Sequence, residues 1–315
     1  SYQINGPGWA PTYRALLDTR ASTLRLERQA QVAQASGEDW LGVSMRLSTG
    51  APRRGTTGPL PNPWRIGIAE PQQDLVARQF ASRSVAASAP VLLADNAKAL
   101  DSFDASVFNH AFATEFAVPQ RIDVPSSANR VTLALGAQDA AVKLLTRSTP
   151  HADASAWLVA ETPQPEGVWP AGALQLYRDG AFVGSDTLRA GTKGPWALSF
   201  GRDERVVVRV EPQKDMRGSA GFVGSRAERT VERAYTVENR HRTPINLQVL
   251  EASPVAIDER VGVQSKFDPK PTSTAWEEQG GVLLWSSSLD AGKTARFTAA
   301  YAISYPKDAR LQEEP

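Results

Sequence analysis

Residues able to do chemistry are few and scattered in this 315-residue chain. Cysteine is absent, which removes disulfides, thiolate nucleophiles and thiolate metal ligands. Histidine occurs three times, at His110, His151 and His241, too sparsely for a histidine-rich zinc set. His151 and Asp153 have the H-x-D spacing that puts two side chains on one face of a strand, the geometry of a base and its orienting carboxylate. Pro150 and the neighbouring alanines favour a loop there instead. His110 stands near Asp101 and Asp104, and His241 lies between Arg240 and Arg242. A Ser-His-Asp triad needs no closeness in sequence, so spacing leaves that possibility open, although each histidine has loop-like surroundings. The adjacent carboxylates Asp203-Glu204 and Glu277-Glu278 offer hard oxygen ligands for a cation. Neighbours on a strand point to opposite faces, so neither pair is a natural ligand set.

Two motif fragments fail on context. Gly292-Lys293-Thr294 copies the end of a phosphate-binding loop, but the glycine required five positions earlier is Ser287, and a strand follows where a helix should. Gly218-Ser219-Ala220-Gly221 lacks the spacing of a nucleophile elbow. The residues therefore predict no catalytic site, no cofactor and no metal, and they favour a non-enzyme.

Eight tryptophans are the compositional feature that remains. Trp157 and Trp285 stand in apolar runs and are expected in the core. Trp9, Trp64 and Trp276 stand beside Pro, Gly or Glu in loop-like sequence and are the candidate ligand or partner surface. Exposed indoles stack on pyranose rings, which makes glycan binding one expectation; packing of large aromatics in a β core is the competing one.

The elements that must position these residues are strands. Phe297, Ala299, Tyr301, Ile303 and Tyr305 alternate with Thr298, Ala300, Ala302 and Ser304, the pattern of a half-buried strand. Val131, Leu133 and Leu135 repeat it, as do Leu24 and Leu26. Val206-Val207-Val208 reads as a strand covered on both faces. Asp179-Gly180 between apolar runs predicts a tight hairpin, because a type I′ turn requires positive φ at both central residues. The expected fold class is all-β, an antiparallel β-sandwich architecture of two packed sandwiches with one long irregular, partly helical insertion. The insertion spans about 51–106, and Leu75, Val76, Gln79 and Phe80 give its 72–83 stretch helical spacing. The expected division is an N-terminal β-sandwich region over 1–200, an immunoglobulin-like sandwich over 201–308, and a polar tail over 309–315.

Charge is balanced, with 35 Lys+Arg against 34 Asp+Glu. That excludes the basic footprint of a nucleic-acid binder. Arg226, Glu228, Arg229, Glu232, Arg233, Glu238, Arg240 and Arg242 mix both signs, which predicts cross-strand pairs on a solvated face. No run is long and apolar enough for a membrane span. The chain opens on Ser1 with no basic-then-apolar leader after it.

Several blocks together resemble the DUF4139 family, the C-terminal region of mucoidy inhibitor A-like proteins. They are Trp9-Ala10-Pro11-Thr12-Tyr13, Ser36-Gly37-Glu38-Asp39-Trp40 followed by Leu47-Ser48-Thr49, Asp179-Gly180-Ala181-Phe182-Val183-Gly184, Val237-Glu238-Asn239, Ser253-Pro254-Val255, Gly281-Val282-Leu283-Leu284-Trp285 and Tyr305-Pro306-Lys307-Asp308. The resemblance implies a longer protein with an upstream coiled coil through which it oligomerises, export to the periplasm, and a link to exopolysaccharide control. It brings no catalytic residues. The motif residues read as scaffold: Gly37 for a turn, Glu38 and Asp39 to cap its N–H groups, Trp40 to anchor it, and Asn239 to bond a turn backbone. The expected function is a non-enzymatic interaction module of a bacterial envelope protein with a protein or glycan partner. The alternatives are a glycan-binding module or a polysaccharide hydrolase with paired carboxylates.

Overall fold

The computed structural model describes residues 7–48, 115–118, 120–127, 129–189, 194–220, 226–309 and 311. The 51–106 insertion, its 72–83 helical stretch, Trp64, His110 and most of the 309–315 tail lie outside the described residues.

The described residues are all-β, with no helix among them. The strands are β1 (Gly8–Asp18), β2 (Thr23–Ala33), β3 (Trp40–Val43), β4 (Arg46–Ser48), β5 (Glu115–Ala117), β6 (Ile122–Val124) and β7 (Val131–Ala141). Next come β8 (Lys143–Thr149), β9 (Asp153–Thr162), β10 (Gly172–Arg178), β11 (Ala181–Leu188), β12 (Trp196–Arg202) and β13 (Val206–Val210). The last are β14 (Lys214–Ala220), β15 (Arg226–Asn239), β16 (Ile245–Ala252), β17 (Gly262–Asp268), β18 (Ser273–Trp276), β19 (Gln279–Leu289) and β20 (Thr294–Pro306).

Three large sheets result. The first has the order β11-β10-β1-β2-β7, the second β12-β9-β8-β16-β19-β18, and the third β13-β15-β20-β17 with β14 also on β15. Two short pairs, β3-β6 and β4-β5, complete the set. Pairing is mostly antiparallel, with β1–β10 and β8–β16 parallel.

The chain divides into two compact units, residues 1–9 with 32–131, and residues 10–31 with 132–315. The expected 200/201 boundary falls within the larger unit. Strands on both sides of that point share the second sheet, through the parallel pairing of Leu247 with Thr146. The connection after β12 is a tight turn, in which the Val206 N–H donates to the Asp203 carbonyl at 3.1 Å.

In the smaller unit the buried Gln34 holds the Ser36–Glu38 turn. Its amide donates to the carbonyls of Glu38 and Val124, and its oxygen accepts from the Ser36 N–H and hydroxyl. Asp39 caps a backbone N–H, as its place in the motif suggested, but that of Ser126 rather than one in its own turn.

The larger unit has two apolar clusters. In one, Tyr13, Leu17, Leu24 and Leu174 of the first sheet meet Trp196 and Phe200 of the second. In the other, Leu247, Val249 and Trp285 of the second sheet meet Val208, Tyr235, Phe297 and Tyr301 of the third. Register shows that both clusters use one face of the second sheet. Leu247 is level with Thr146, Thr146 with Leu158, and Leu144 with Ala160, which in turn pairs Leu198. The strand read from Phe297, Ala299 and Tyr301 is buried on that side as expected. Val206-Val207-Val208 differs. As an edge strand it buries only Val206 and Val208, and Val207 is half-buried.

Candidate functional site

The second sheet has another face, and the same register fixes what stands there. Arg202 of β12 is level with Trp157 of β9, Trp157 with Arg147 of β8, Arg147 with Gln248 of β16, and Gln248 with Ser286 of β19. Five side chains thus form one row across five strands. The chemistry within the row is continuous. The Arg202 guanidinium lies 5.3 Å from the Trp157 ring centroid, and Arg147 lies 5.1 Å from that of Trp276 in β18. Arg147 Nε donates to Gln248 Oε1 at 3.0 Å, and Arg202 pairs with Asp153 at 3.5 Å. Cation–π contacts of this partly exposed kind contribute about 0.5–2 kcal/mol each. Burial lowers the pKa of the Arg147 guanidinium, while the Glu277 and Glu161 carboxylates oppose that shift. Leu145, Val159 and Leu250 are on the same face and already buried.

Trp276 is set by the turn that follows it. Glu277 and Glu278 have φ of 51° and 65°, so β18 and β19 are joined by a left-handed two-residue turn without a glycine. That conformation costs roughly 1–2 kcal/mol for each non-glycine residue. Both glutamates are exposed and form a turn, and among the described residues no group of three or more His, Cys, Asp or Glu could hold a metal ion.

The tryptophans expected at a surface are therefore not one site. Trp9 is buried, with only 9% exposure: it lies in β1, donates from Nε1 to the Ser48 carbonyl at 3.0 Å and meets Phe116 edge-on. Pro and Gly near it in sequence reflect a strand beginning, not an exposed loop. Trp276 is half-buried and faces outward under Arg147. Trp157, expected in the core, is half-buried on the outer face, whereas Trp285 is in the core as expected.

The histidines are also rearranged. His151 is exposed, and Asp153 bonds Ser155 and Arg202 instead. His241 Nε2 lies 2.8 Å from both Asp203 oxygens, a pairing across 38 residues that no local spacing announces. Asn239, fully buried, explains that geometry. Its amide donates to the carbonyls of Thr243, Leu289 and Asp290, its oxygen accepts the His241 N–H, and the Gly292 N–H bonds its carbonyl. The Gly292-Lys293 segment is a tight turn.

The described residues also hold one carboxylate cluster and one buried carboxylate. A cleft of about 690 Å³ at the hairpin end of the first sheet contains Asp18, Asp139 and Asp179 with Arg20 and Arg25, and no tryptophan lines it. Each carboxylate there is engaged: Asp18 caps Arg20 and Ala21, Asp179 ties Thr19, and Asp139 pairs with Arg25. Glu251 is buried and accepts from Arg233 Nη1 and the Tyr235 hydroxyl, each at 2.5 Å. Burial first, then the bond to Glu251, pushes the Tyr235 phenol above its ordinary range. The mixed charges of β13–β15 pair across strands as read: Lys214 with Glu232, Arg229 with Asp215, and Arg209 with Glu238.

Among the described residues no helix is long and apolar enough to cross a membrane. Protein F37C4.5 of Caenorhabditis elegans is 24% identical over 340 residues, covering 100% of this chain and 61% of its own length. This chain thus spans about three fifths of the relative it matches. A model of the domain of unknown function DUF4139 matches residues 1–307, and the chain belongs to the DUF4139 family.

Proposed function

We propose that this chain is a non-catalytic interaction module that takes its partner on the outer face of the second sheet. The observation that carries this is the row Arg202–Trp157–Arg147–Gln248–Ser286 with Trp276, a concentration of Trp and Arg of the kind that dominates interface energetics. In this reading the second sheet closes two sandwiches with one face, against the first and third sheets, and presents the other. Around it, the buried and paired carboxylates are scaffold.

The rest of the proposal leans on the family resemblance: a longer, exported, envelope-associated bacterial protein that oligomerises through an upstream coiled coil and acts in exopolysaccharide control. A nematode relative that matches the whole of this chain supports the module itself as the shared unit. Fractionation of cells carrying the full-length protein tests the location.

The surface is tested by placing a photo-cross-linking side chain at Ser286 on this face and, separately, at exposed Met216 of β14. The expected result is a covalent adduct from position 286 and none from 216 when the full-length protein is illuminated in cells. Equal labelling from both positions would contradict the assignment.

A further inference from the structure

We infer that the occupant of this face is an uncharged polysaccharide chain lying across the strands. The inference rests on the proposed surface and adds the class of ligand. Its first support is shape. Four strand spacings separate Arg202 from Ser286, about 19 Å, so the row is linear and suits an extended polymer.

The second support is charge. Arg202 is matched by Asp153, and Arg147 is flanked by Glu161 and Glu277. A polyanion is recognised by an unmixed positive surface, and a polycation by the opposite. A sugar hydroxyl both donates and accepts, and this face offers guanidinium donors and the Gln248 amide in the row, with the Asp153, Glu161 and Glu277 carboxylates beside it.

The third support separates a glycan from a protein. Protein interfaces combine such Trp and Arg anchors with a packed apolar centre. On this face Leu145, Val159 and Leu250 are buried and Val282 and Leu284 are half-buried to one side, while the groups of the row itself are indole, guanidinium, amide and hydroxyl. Indole with surrounding hydrogen-bonding groups matches the amphipathic pyranose ring, apolar on its face and polar at its rim.

The test is affinity electrophoresis of the folded chain in native gels holding laminarin, hydroxyethyl cellulose, glycogen or a mannan, with alginate as the anionic comparison. At least one neutral polymer should retard the protein, and added salt should leave the retardation in place. Trp157→Ala and Trp276→Ala should each weaken it about tenfold, the loss typical of a central aromatic contact. Trp157→Phe and Trp276→Phe, checked for an unchanged melting transition, should retain a substantial part of it. Retardation by alginate alone, or by none of the polymers, overturns the inference, as does retardation that survives the double alanine variant. If no neutral polymer binds while the cross-link from position 286 persists, the ligand class falls and the surface stands. If both fail, the surface falls as well.

Discussion

The two faces of the second sheet are built by the same strands in one register, and they differ in what they leave unfinished. The inner face is closed apart from the buried Trp196 Nε1, which has no hydrogen-bond partner among the described residues. Leu247, Val249 and Trp285 are packed, and its one carboxylate, Glu251, is closed by Arg233 and Tyr235. The outer face also holds a partly buried charge, Arg147, yet its hydrogen-bond and ring partners are a half-buried amide, Gln248, and the face of an indole that is itself half-buried. A buried charge needs its full set of partners or it destabilises the fold. A half-exposed one can keep water as part of its shell and exchange that water for a ligand. The difference between a structural and a functional polar cluster here is the degree of closure, not residue type.

The comparison can be broken most sharply at Glu251. Glu251→Ala should cost about 3–5 kcal/mol in chemical denaturation, because it strands the Arg233 guanidinium and the Tyr235 hydroxyl. A loss no larger than that of an exposed ion pair would show that the inner face is less closed than its geometry. Asn239→Ala should cost about 2–3 kcal/mol, since the buried Leu289 carbonyl and the His241 N–H lose their partners. Its unfolding midpoint measures this directly.

Closure also has a pH signature. Burial pushes Tyr13 up to about 12, with the nearby Arg28 opposing the shift, and Tyr235 and Tyr301 are raised still further by burial and the Glu251 charge. A phenol whose folded pKa is raised favours the fold while neutral. That contribution is complete below pH about 10 and is lost as pH rises through about 12. An absorbance titration should therefore show Tyr13, Tyr235 and Tyr301 ionising late, with alkaline unfolding accompanying them. Ionisation of these three near pH about 10 in the folded protein would contradict it. The smallest effect is on the outer face. Replacing Glu277-Glu278 with Asn-Gly should raise stability by about 1 kcal/mol, because those residues accept left-handed backbone without strain. A neutral or destabilising result in a melting experiment would mean that the glutamates hold contacts beyond the turn.

Much of the scaffold was legible because its signals are local. Asp179-Gly180 makes its hairpin with φ of 50° and 84°, Gly292 closes its turn, and the β20 alternation tells which residues are buried. The charge mixture of β15 likewise becomes cross-strand pairs. The candidate surface was not legible, because it depends on register. Arg147 meets Gln248 across 101 residues through a parallel pairing, and no residue near either signals it. Trp9 and Trp157 exchange their expected roles for the same reason: flanking residues report loop or strand, while exposure depends on which face the strand turns outward. A short polar turn such as the one after β12 looks alike whether it ends a domain or joins two strands, and strands from both sides of it share the second sheet.

The most direct measurement is partner retention by the Trp157→Ala/Trp276→Ala double variant of the full-length protein, alongside its unfolding free energy. The two-face account predicts a folded protein, less stable by only about 1–3 kcal/mol for two half-buried side chains, that no longer yields the adduct from position 286. An unchanged adduct from the folded double variant would contradict it.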